Sequence, residues 1–265
     1  MGHLQNKFDR ASSTYEEHSQ VQKEMAQALV SQLPEDFSPT SILELACGTG
    51  HLTRQLRRRF PNSPILATDA SAGMLEKARS KFRPDEPLAF ECLDVLEGFA
   101  GRQADLIASA ALVQWLPDLG GHFQAVAAAL PEGGLYAVSA FCRSNFPELN
   151  ILLAEPPFSY HEFPGHRLAD AEAMAQRSGF EVVSSVQHSL AVPYASARAF
   201  LAMLKATGAV RAPERPPSRA RAIFLLRELE RTAARGDGLP GIVATWKPWY
   251  LILRKIALSK GTVAG

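Results

Sequence analysis

The sequence has few cysteines and no long apolar run. Its 265 residues include three cysteines, Cys47, Cys92 and Cys142, which lie far apart and form no CxxC pair. This spacing argues against a disulfide framework and against a thiolate metal site. No stretch approaches the roughly 20 apolar residues that cross a bilayer, and the first residues lack the apolar core of a signal peptide. We therefore expect a cytoplasmic protein with reduced thiols and no membrane span.

The chain also has almost no net charge. A formal charge of +1 at pH 7 gives no reason to expect a whole-molecule attraction to nucleic acid. Residues 193–240, however, carry nine Lys and Arg side chains against four Asp and Glu, so this segment alone has a net charge of +5. Such a run is most simply a solvated helix face, and the alternative is a docking surface for an acidic partner.

Apolar runs of strand length alternate with helical patterns through the first half of the chain. They lie at residues 42–46, 65–68, 88–92, 105–110 and 135–140. This alternation predicts an α/β fold with a parallel sheet, helices on both faces, and a ligand at the carboxyl ends of the strands. With 46% hydrophobic residues, the chain is long enough for one such domain and an elaboration.

The remaining patterns divide the chain into five predicted segments. These are an N-terminal arm with a lid helix (1–40), a ligand-binding core (41–142), an acceptor-side segment with later core elements (143–192), a basic helical cap (193–240), and a final strand region with a tail (241–265). Within them, periodicity predicts helices at 19–33 and 169–178 and strands at 180–186 and 250–255.

The turn after the first strand is the most informative segment. Gly48 and Gly50 allow the backbone to approach a ligand closely. A dinucleotide fingerprint would have a third glycine where this chain has Thr53, so a ligand without pyrophosphate fits better. Glu44 lies within the preceding strand, where a buried carboxylate needs a cation or hydrogen-bond donors. An amino group of the ligand would satisfy Glu44.

Carboxylates after the second and third strands predict a nucleoside site. Asp69 follows the glycine turn by about 20 residues, where it can hold both ribose hydroxyls, with Ala70 beside it. Met74 could pack on an adenine face, while Asp94 lies beside the exocyclic amine and Val95 against the ring edge. The plainer interpretation of both aspartates is N-capping of the following helix or turn.

Together these features resemble the class I S-adenosylmethionine-dependent methyltransferases. Their glycine motif, E/D-x-G-x-G-x-G, appears here from Glu44 to Gly50 with Ala46 in place of the first glycine. The resemblance covers roughly residues 41–140. It implies a Rossmann-like, seven-stranded, mostly parallel sheet and S-adenosylmethionine as cofactor, with Ala110 beside it at the end of the fourth strand.

A narrower resemblance lies outside that core. The arm from Phe8 to His18 with Gln22, the pair Gln114-Trp115, and the ending 249–255 are similar to the malonyl-acyl-carrier-protein O-methyltransferases of biotin synthesis. The resemblance implies that the arm closes over the cofactor and brings Tyr15 into the active site. It also implies a malonyl thioester as acceptor and an acidic acyl carrier as partner, for which the basic cap offers a complementary surface.

A cation is needed to orient an acceptor carboxylate, and we predict Arg143 for this role, with Tyr15 and Gln114 shaping the pocket. Other acceptors, such as a small acid, phenol or quinone, stay open, as does a non-catalytic regulator that binds S-adenosylmethionine. Thr53 disfavours a nicotinamide dehydrogenase. No metal is expected, because the histidines of segment 161–166 are five apart with Pro-Gly between them. The thioester carrier, protein or coenzyme A, and the oligomeric state are also left open.

Overall fold

The computed structural model describes residues 15–149, 165–207 and 218–257. Its strands are β1 Ile42–Leu45, β2 Ile65–Asp69, β3 Leu88–Cys92, β4 Leu106–Ala110, β5 Leu135–Phe141, β6 Phe180–Gln187, β7 Leu190–Tyr194, β8 Ile242–Trp246 and β9 Pro248–Lys255. Its helices are α1 Tyr15–His18, α2 Gln20–Ser31, α3 His51–Arg59, α4 Ala72–Arg79, α5 Leu119–Ala129, α6 Leu168–Arg177, α7 Ala197–Ala206 and α8 Arg219–Thr232. Short 3-10 turns lie at Val95–Glu97 and Val113–Trp115.

Seven of these strands form one sheet in the order β3-β2-β1-β4-β5-β9-β6. The first five are parallel to one another, and β9 runs antiparallel to both β5 and β6. The predicted Rossmann-like fold with a mostly parallel sheet is therefore confirmed. The carboxyl ends of β1, β2, β3 and β4 open toward one edge of the sheet, where a ligand of such a fold binds.

Helices cover both faces of the sheet, as expected for buried parallel strands. One core joins α2 and α3 to the sheet through residues such as Met25, Leu29 and Leu56. The opposite core joins α5 to it through Phe123 and Val126. Strand side chains alternate between the faces. Ile42 belongs to the first core and Leu43 and Leu45 to the second, so the intervening carboxylate of β1 is directed toward the α2 and α3 face.

A two-stranded sheet, β7 paired antiparallel with β8, lies at the base of the predicted cap. Helices α7 and α8 fall between these strands in the chain, in agreement with a helical cap. Residues 193 and 194, predicted to begin that cap, instead end strand β7, in which half-buried and exposed residues alternate. Tyr194 pairs with Ile242 at the point where the chain leaves and re-enters this small sheet. The division of the chain into five segments stays a prediction.

Among the helices of the described residues, none combines the length and apolar character needed to cross a membrane.

Candidate active site

The turn that follows β1 has three residues in the left-handed region. Ala46, Gly48 and Gly50 have φ values of 56°, 53° and 87°. A methyl group added at Gly50 would lie 3.2 Å from the Phe82 ring, so this glycine lets the turn pack closely against the segment after α4. A methyl group at Gly48 would meet nothing within 4 Å, which leaves open space beside its backbone. Ala46 adopts a conformation that glycine accepts more readily.

Glu44 is the most unusual side chain near this turn. It is fully buried, and among the described residues neither carboxylate oxygen has a hydrogen-bond partner. Burial raises the pKa of Glu44 to about 8; Thr53 opposes this increase and the nearby negative charge of Asp69 adds to it. The neutral form of the carboxyl is therefore favoured at pH 7 in this state. A cation placed against it would restore its charge, because an opposite charge favours the ionised form.

Asp69, at the end of β2, ties two loops together. Its carboxylate accepts hydrogen bonds from the backbone N–H of Gly48 and from that of Ser71, each at 2.8 Å. Ser71, rather than Asp69, provides the N-cap of α4, because its hydroxyl accepts from the N–H of Met74 at 3.1 Å. Asp94 does act as a cap: its carboxylate accepts from the N–H of Leu96 at 2.9 Å. The observed contact of Asp94 is therefore the N-capping of the following turn, which was the plainer interpretation of this residue.

Two cavities lie along the carboxyl ends of β1 to β4. The smaller, about 40 Å³, is lined by Tyr15, Gln22, Ala26, Glu44, Ala46, Cys47, Gly48, Thr49, His51, Leu52, Ala110 and Ala111. The larger, about 370 Å³, is lined by Ala70, Glu91, Cys92, Leu93, Asp94, Glu97, Gly98 and Arg102. Asp69 connects them, since its carboxylate binds Gly48 of the first and its chain neighbour Ala70 lines the second. We take the two cavities together as the candidate site.

The structure brings most of the predicted cofactor residues into these two cavities or, for Asp69, between them. Three others line neither cavity. Gly50 packs toward Phe82, and Val95 packs partly against the second core. Met74 is only 2% exposed. Binding of the cofactor by the predicted residues, including the packing of Met74 on an adenine face, stays a prediction.

Tyr15 closes the smaller cavity from the side of the arm. Its burial raises the pKa of the phenol above its ordinary range, and the charges of Asp69 and Glu16 add to the increase. Tyr15 is therefore a neutral hydrogen-bonding group and not a base at physiological pH. The positions before Tyr15, including most of the arm motif, lie outside the described residues.

Contacts that the sequence did not predict hold α1 against the glycine turn. The carboxylate of Glu16 lies 2.5 Å from Nζ of Lys81, which also donates to the carbonyl of Thr49 at 2.7 Å. The hydroxyl of Ser19 shares a hydrogen bond of 2.8 Å with Nε2 of His51. His51 was detectable in principle, because it is the first helical residue after a glycine turn, and helix starts of this kind bind ligands. Lys81 has no comparable signal in the sequence.

The predicted acceptor-side residues are less closely grouped. Gln114 is buried; its amide Nε2 donates to the carbonyl of Ala111 at 2.9 Å, and its Oε1 has no partner within the described part of the chain. Arg143 is exposed in the turn after β5 and lines neither cavity; its positive charge helps to lower the pKa of His166, for which burial is the larger cause. The roles of Gln114 and Arg143 stay predictions. Across the described ranges, no group of three or more His, Cys, Asp or Glu side chains could hold a metal.

Comparison with known proteins was consistent with this geometry. Residues 43–136 match a family described as a methyltransferase domain. A malonyl-[acyl-carrier protein] O-methyltransferase of Acetivibrio thermocellus is 34% identical over 227 residues, which cover 78% of this chain and 77% of that protein. An enzyme of the same name from Priestia megaterium is 37% identical over 149 residues, covering 56% of this chain and 54% of its own length.

Solved structures share the fold at low sequence identity. The YcgJ protein of Bacillus subtilis aligns with a TM-score of 0.60 at 15% identity, covering 88% of this chain and 99% of that one. Phosphoethanolamine N-methyltransferase 2 of Haemonchus contortus, solved with S-adenosyl-L-methionine, aligns with a TM-score of 0.58 at 14% identity, covering 94% of this chain and 57% of that one. At such identities the alignments support the architecture only.

Proposed function

This chain belongs to the family of malonyl-[acyl-carrier protein] O-methyltransferases, and we propose that it transfers the methyl group of S-adenosyl-L-methionine to the free carboxylate of a malonyl thioester. The family and the cofactor predicted from the sequence are thereby confirmed. The observation that best supports the proposal is Glu44, a buried acid with both oxygens unpartnered among the described residues, next to an open glycine turn. Such an arrangement is costly unless a cationic ligand completes it.

The residues present fit the cofactor. Glu44 would receive its amino group, and Gln22, whose Oε1 is also buried without a partner in the described ranges, lies on the same cavity. Asp69 would hold the ribose, and Asp94, on the larger cavity, would face the adenine. When bound, the cofactor supplies a methyl group on a sulfonium, which is already an activated donor.

The acceptor proposed here needs no general base. A free carboxylate is ionised at neutral pH, so the protein has only to hold it in line and keep water away. Tyr15, neutral and half-buried, can donate a hydrogen bond from the arm side. Gln114 is buried near the end of β4 and can shape the pocket, while Arg143 is the cation that we propose for the acceptor carboxylate.

We also propose that the cap binds an acidic acyl carrier. Helix α8 has Leu229 as its one buried residue, while Ile223 and Phe224 are 41% and 50% exposed. Arg219 and Arg227 are exposed on the same helix. An exposed apolar pair flanked by cations suits an acidic helical partner, whose encounter with the enzyme such charges would steer.

Not every cation of the cap is available for this purpose. Arg231 forms an ion pair with Glu228, at 2.8 Å, and Arg235 pairs with Asp237 at 2.5 Å. For these two arginines the solvated-face interpretation is sufficient. The docking proposal therefore depends on residues 219–227 of α8.

The function is tested by measuring S-adenosylhomocysteine release with malonyl-carrier protein, malonyl-coenzyme A and free malonate supplied separately. Mass spectrometry of the acyl product should find a methyl ester on a malonyl thioester. If tight cofactor binding is accompanied by no turnover with any malonyl species, the proposed acceptor is wrong.

Docking is tested with Arg227→Glu. We expect a higher KM for the malonyl-carrier protein and an unchanged KM for malonyl-coenzyme A, because the change reverses a charge that the small thioester does not reach. Arg58→Glu, at an exposed position of α3, is the charge-matched control. Equal effects of the two variants on the carrier substrate would contradict a docking site on the cap.

A further inference from the structure

Lys81 connects two parts of the cofactor site that are distant in sequence. It lies just beyond α4, and its ammonium contacts the Glu16 carboxylate of α1 at 2.5 Å and the Thr49 carbonyl of the glycine turn at 2.7 Å. The Lys81 side chain is 20% exposed and that of Glu16 is 50% exposed. One cation thus joins the arm to the backbone of the turn.

The electrostatics at this point favour the pairing. Burial is the largest effect on the pKa of Glu16 and raises it, but the combined effects of Lys81, Thr49 and His51 outweigh burial, so the pKa lies below its ordinary value. His51 is 3.9 Å from the same carboxylate. Burial lowers the pKa of His51, which favours a neutral ring at pH 7. Of these two neighbours of Glu16, Lys81 is therefore the one that carries a full positive charge at pH 7.

The ion pair between Lys81 and Glu16 lies next to a residue that lines the smaller cavity. Tyr15, the residue before Glu16, lines the smaller cavity, as does Thr49, whose carbonyl Lys81 contacts. A displacement of α1 would carry Tyr15 away from that cavity. Any contact that holds Glu16 against the glycine turn therefore resists that displacement.

We propose that Lys81 is a positioning residue that holds the arm closed over the bound cofactor through Glu16. This inference rests on the proposed function, since it takes the cofactor to occupy the cavity that Tyr15 closes. Lys81 lines neither cavity. It contacts the lining of the smaller cavity through the carbonyl of Thr49. Its effect is on how long the cofactor stays bound and on where Tyr15 lies.

The test measures S-adenosylhomocysteine dissociation by stopped flow, and its affinity by calorimetry, for Lys81→Met, Glu16→Gln and the double variant. We expect each single variant to release the ligand about two- to fivefold faster, and the double variant to release it no faster than either. Lys77→Met, at an exposed position one turn earlier on α4, is the matched control and should leave the rate unchanged.

Salt provides a readout that a merely structural role would not change. In the unaltered protein, dissociation should accelerate as salt rises from 0.05 to 0.5 M (roughly 14 to 4 Å in Debye length), and this dependence should be weaker in either variant. Glu16→Gln, at a half-exposed position, keeps the test available if Lys81→Met folds poorly. Additive effects of the two changes, or rates equal to the control, would overturn the proposal. Absence of S-adenosylhomocysteine binding to the unaltered protein would count instead against the proposed function.

Discussion

Glu44 should make the free energy of unfolding of the ligand-free protein decrease as pH rises. Glu44→Gln should remove this contribution to the pH dependence. The pKa of Glu44 is raised from its ordinary value of 4.5 to about 8. Between these values the folded chain holds a proton at Glu44 that the unfolded chain has released. The folded state therefore binds more protons, and the free energy of unfolding decreases with pH across this window.

The size of the effect follows from the two pKa values. Between pH 6 and pH 8 the contribution of Glu44 should decrease by about 2 kcal/mol, most of it below pH 7.5, where the folded carboxyl is still largely protonated. Glutamine has nearly the same shape and does not ionise, so the advantage of the variant over the unaltered protein should grow by that amount. Other titrating groups are common to both proteins and cancel in the difference.

Urea denaturation of both proteins at pH 6, 7 and 8, without cofactor, measures this difference. Glu132→Gln, at an exposed position, is the control and should differ from the unaltered protein by a constant amount. A constant difference for Glu44→Gln as well would refute the assignment of a raised pKa. We further expect Glu44→Gln to bind S-adenosylhomocysteine more weakly while being the more stable protein at pH 8, because it lacks the anion that meets the ligand amino group.

Three other substitutions address the same site. Asp69→Ala should weaken S-adenosylhomocysteine binding by roughly 1–3 kcal/mol in calorimetry through the loss of charge-assisted hydrogen bonds, and unchanged affinity would remove Asp69 from the site. Tyr15→Phe should slow turnover more than it weakens cofactor binding, and equal effects on both would contradict a role beside the acceptor. Ala46→Gly should raise the free energy of unfolding by up to about 1 kcal/mol in urea titrations, because relief of left-handed strain exceeds the added entropy of glycine in the unfolded chain. A loss of stability would show that Ala46 is not strained.

Strands β1, β4 and β5 could be predicted closely from the sequence because they are buried on both faces. Strand β1 consists of four buried residues and β5 of seven, and such continuous apolar runs stand out from their surroundings. The glycine turn was predictable because left-handed backbone at Gly48 and Gly50 favours a residue without a side chain. Glu44 was identified because a carboxylate in so apolar a strand needs an explanation.

The remaining features depend on contacts between distant segments. Strands β7 and β8 are half-buried, and Pro193 weakens the local strand signal, although an edge strand tolerates proline. Lys81 meets Glu16 across 65 residues, and nothing in the local pattern of either residue indicates the other.

The pairing of Tyr194 with Ile242 has a consequence for how such an enzyme can diversify. Directly opposed residues of an antiparallel pair are about 5 Å apart, so everything between them departs from and returns to nearly the same point. The intervening segment can lengthen, shorten or be exchanged for another without altering the register of β9 in the main sheet. Selection on the acceptor or its carrier can thus act on the inserted helices while the nucleoside-binding half of the molecule is inherited unchanged.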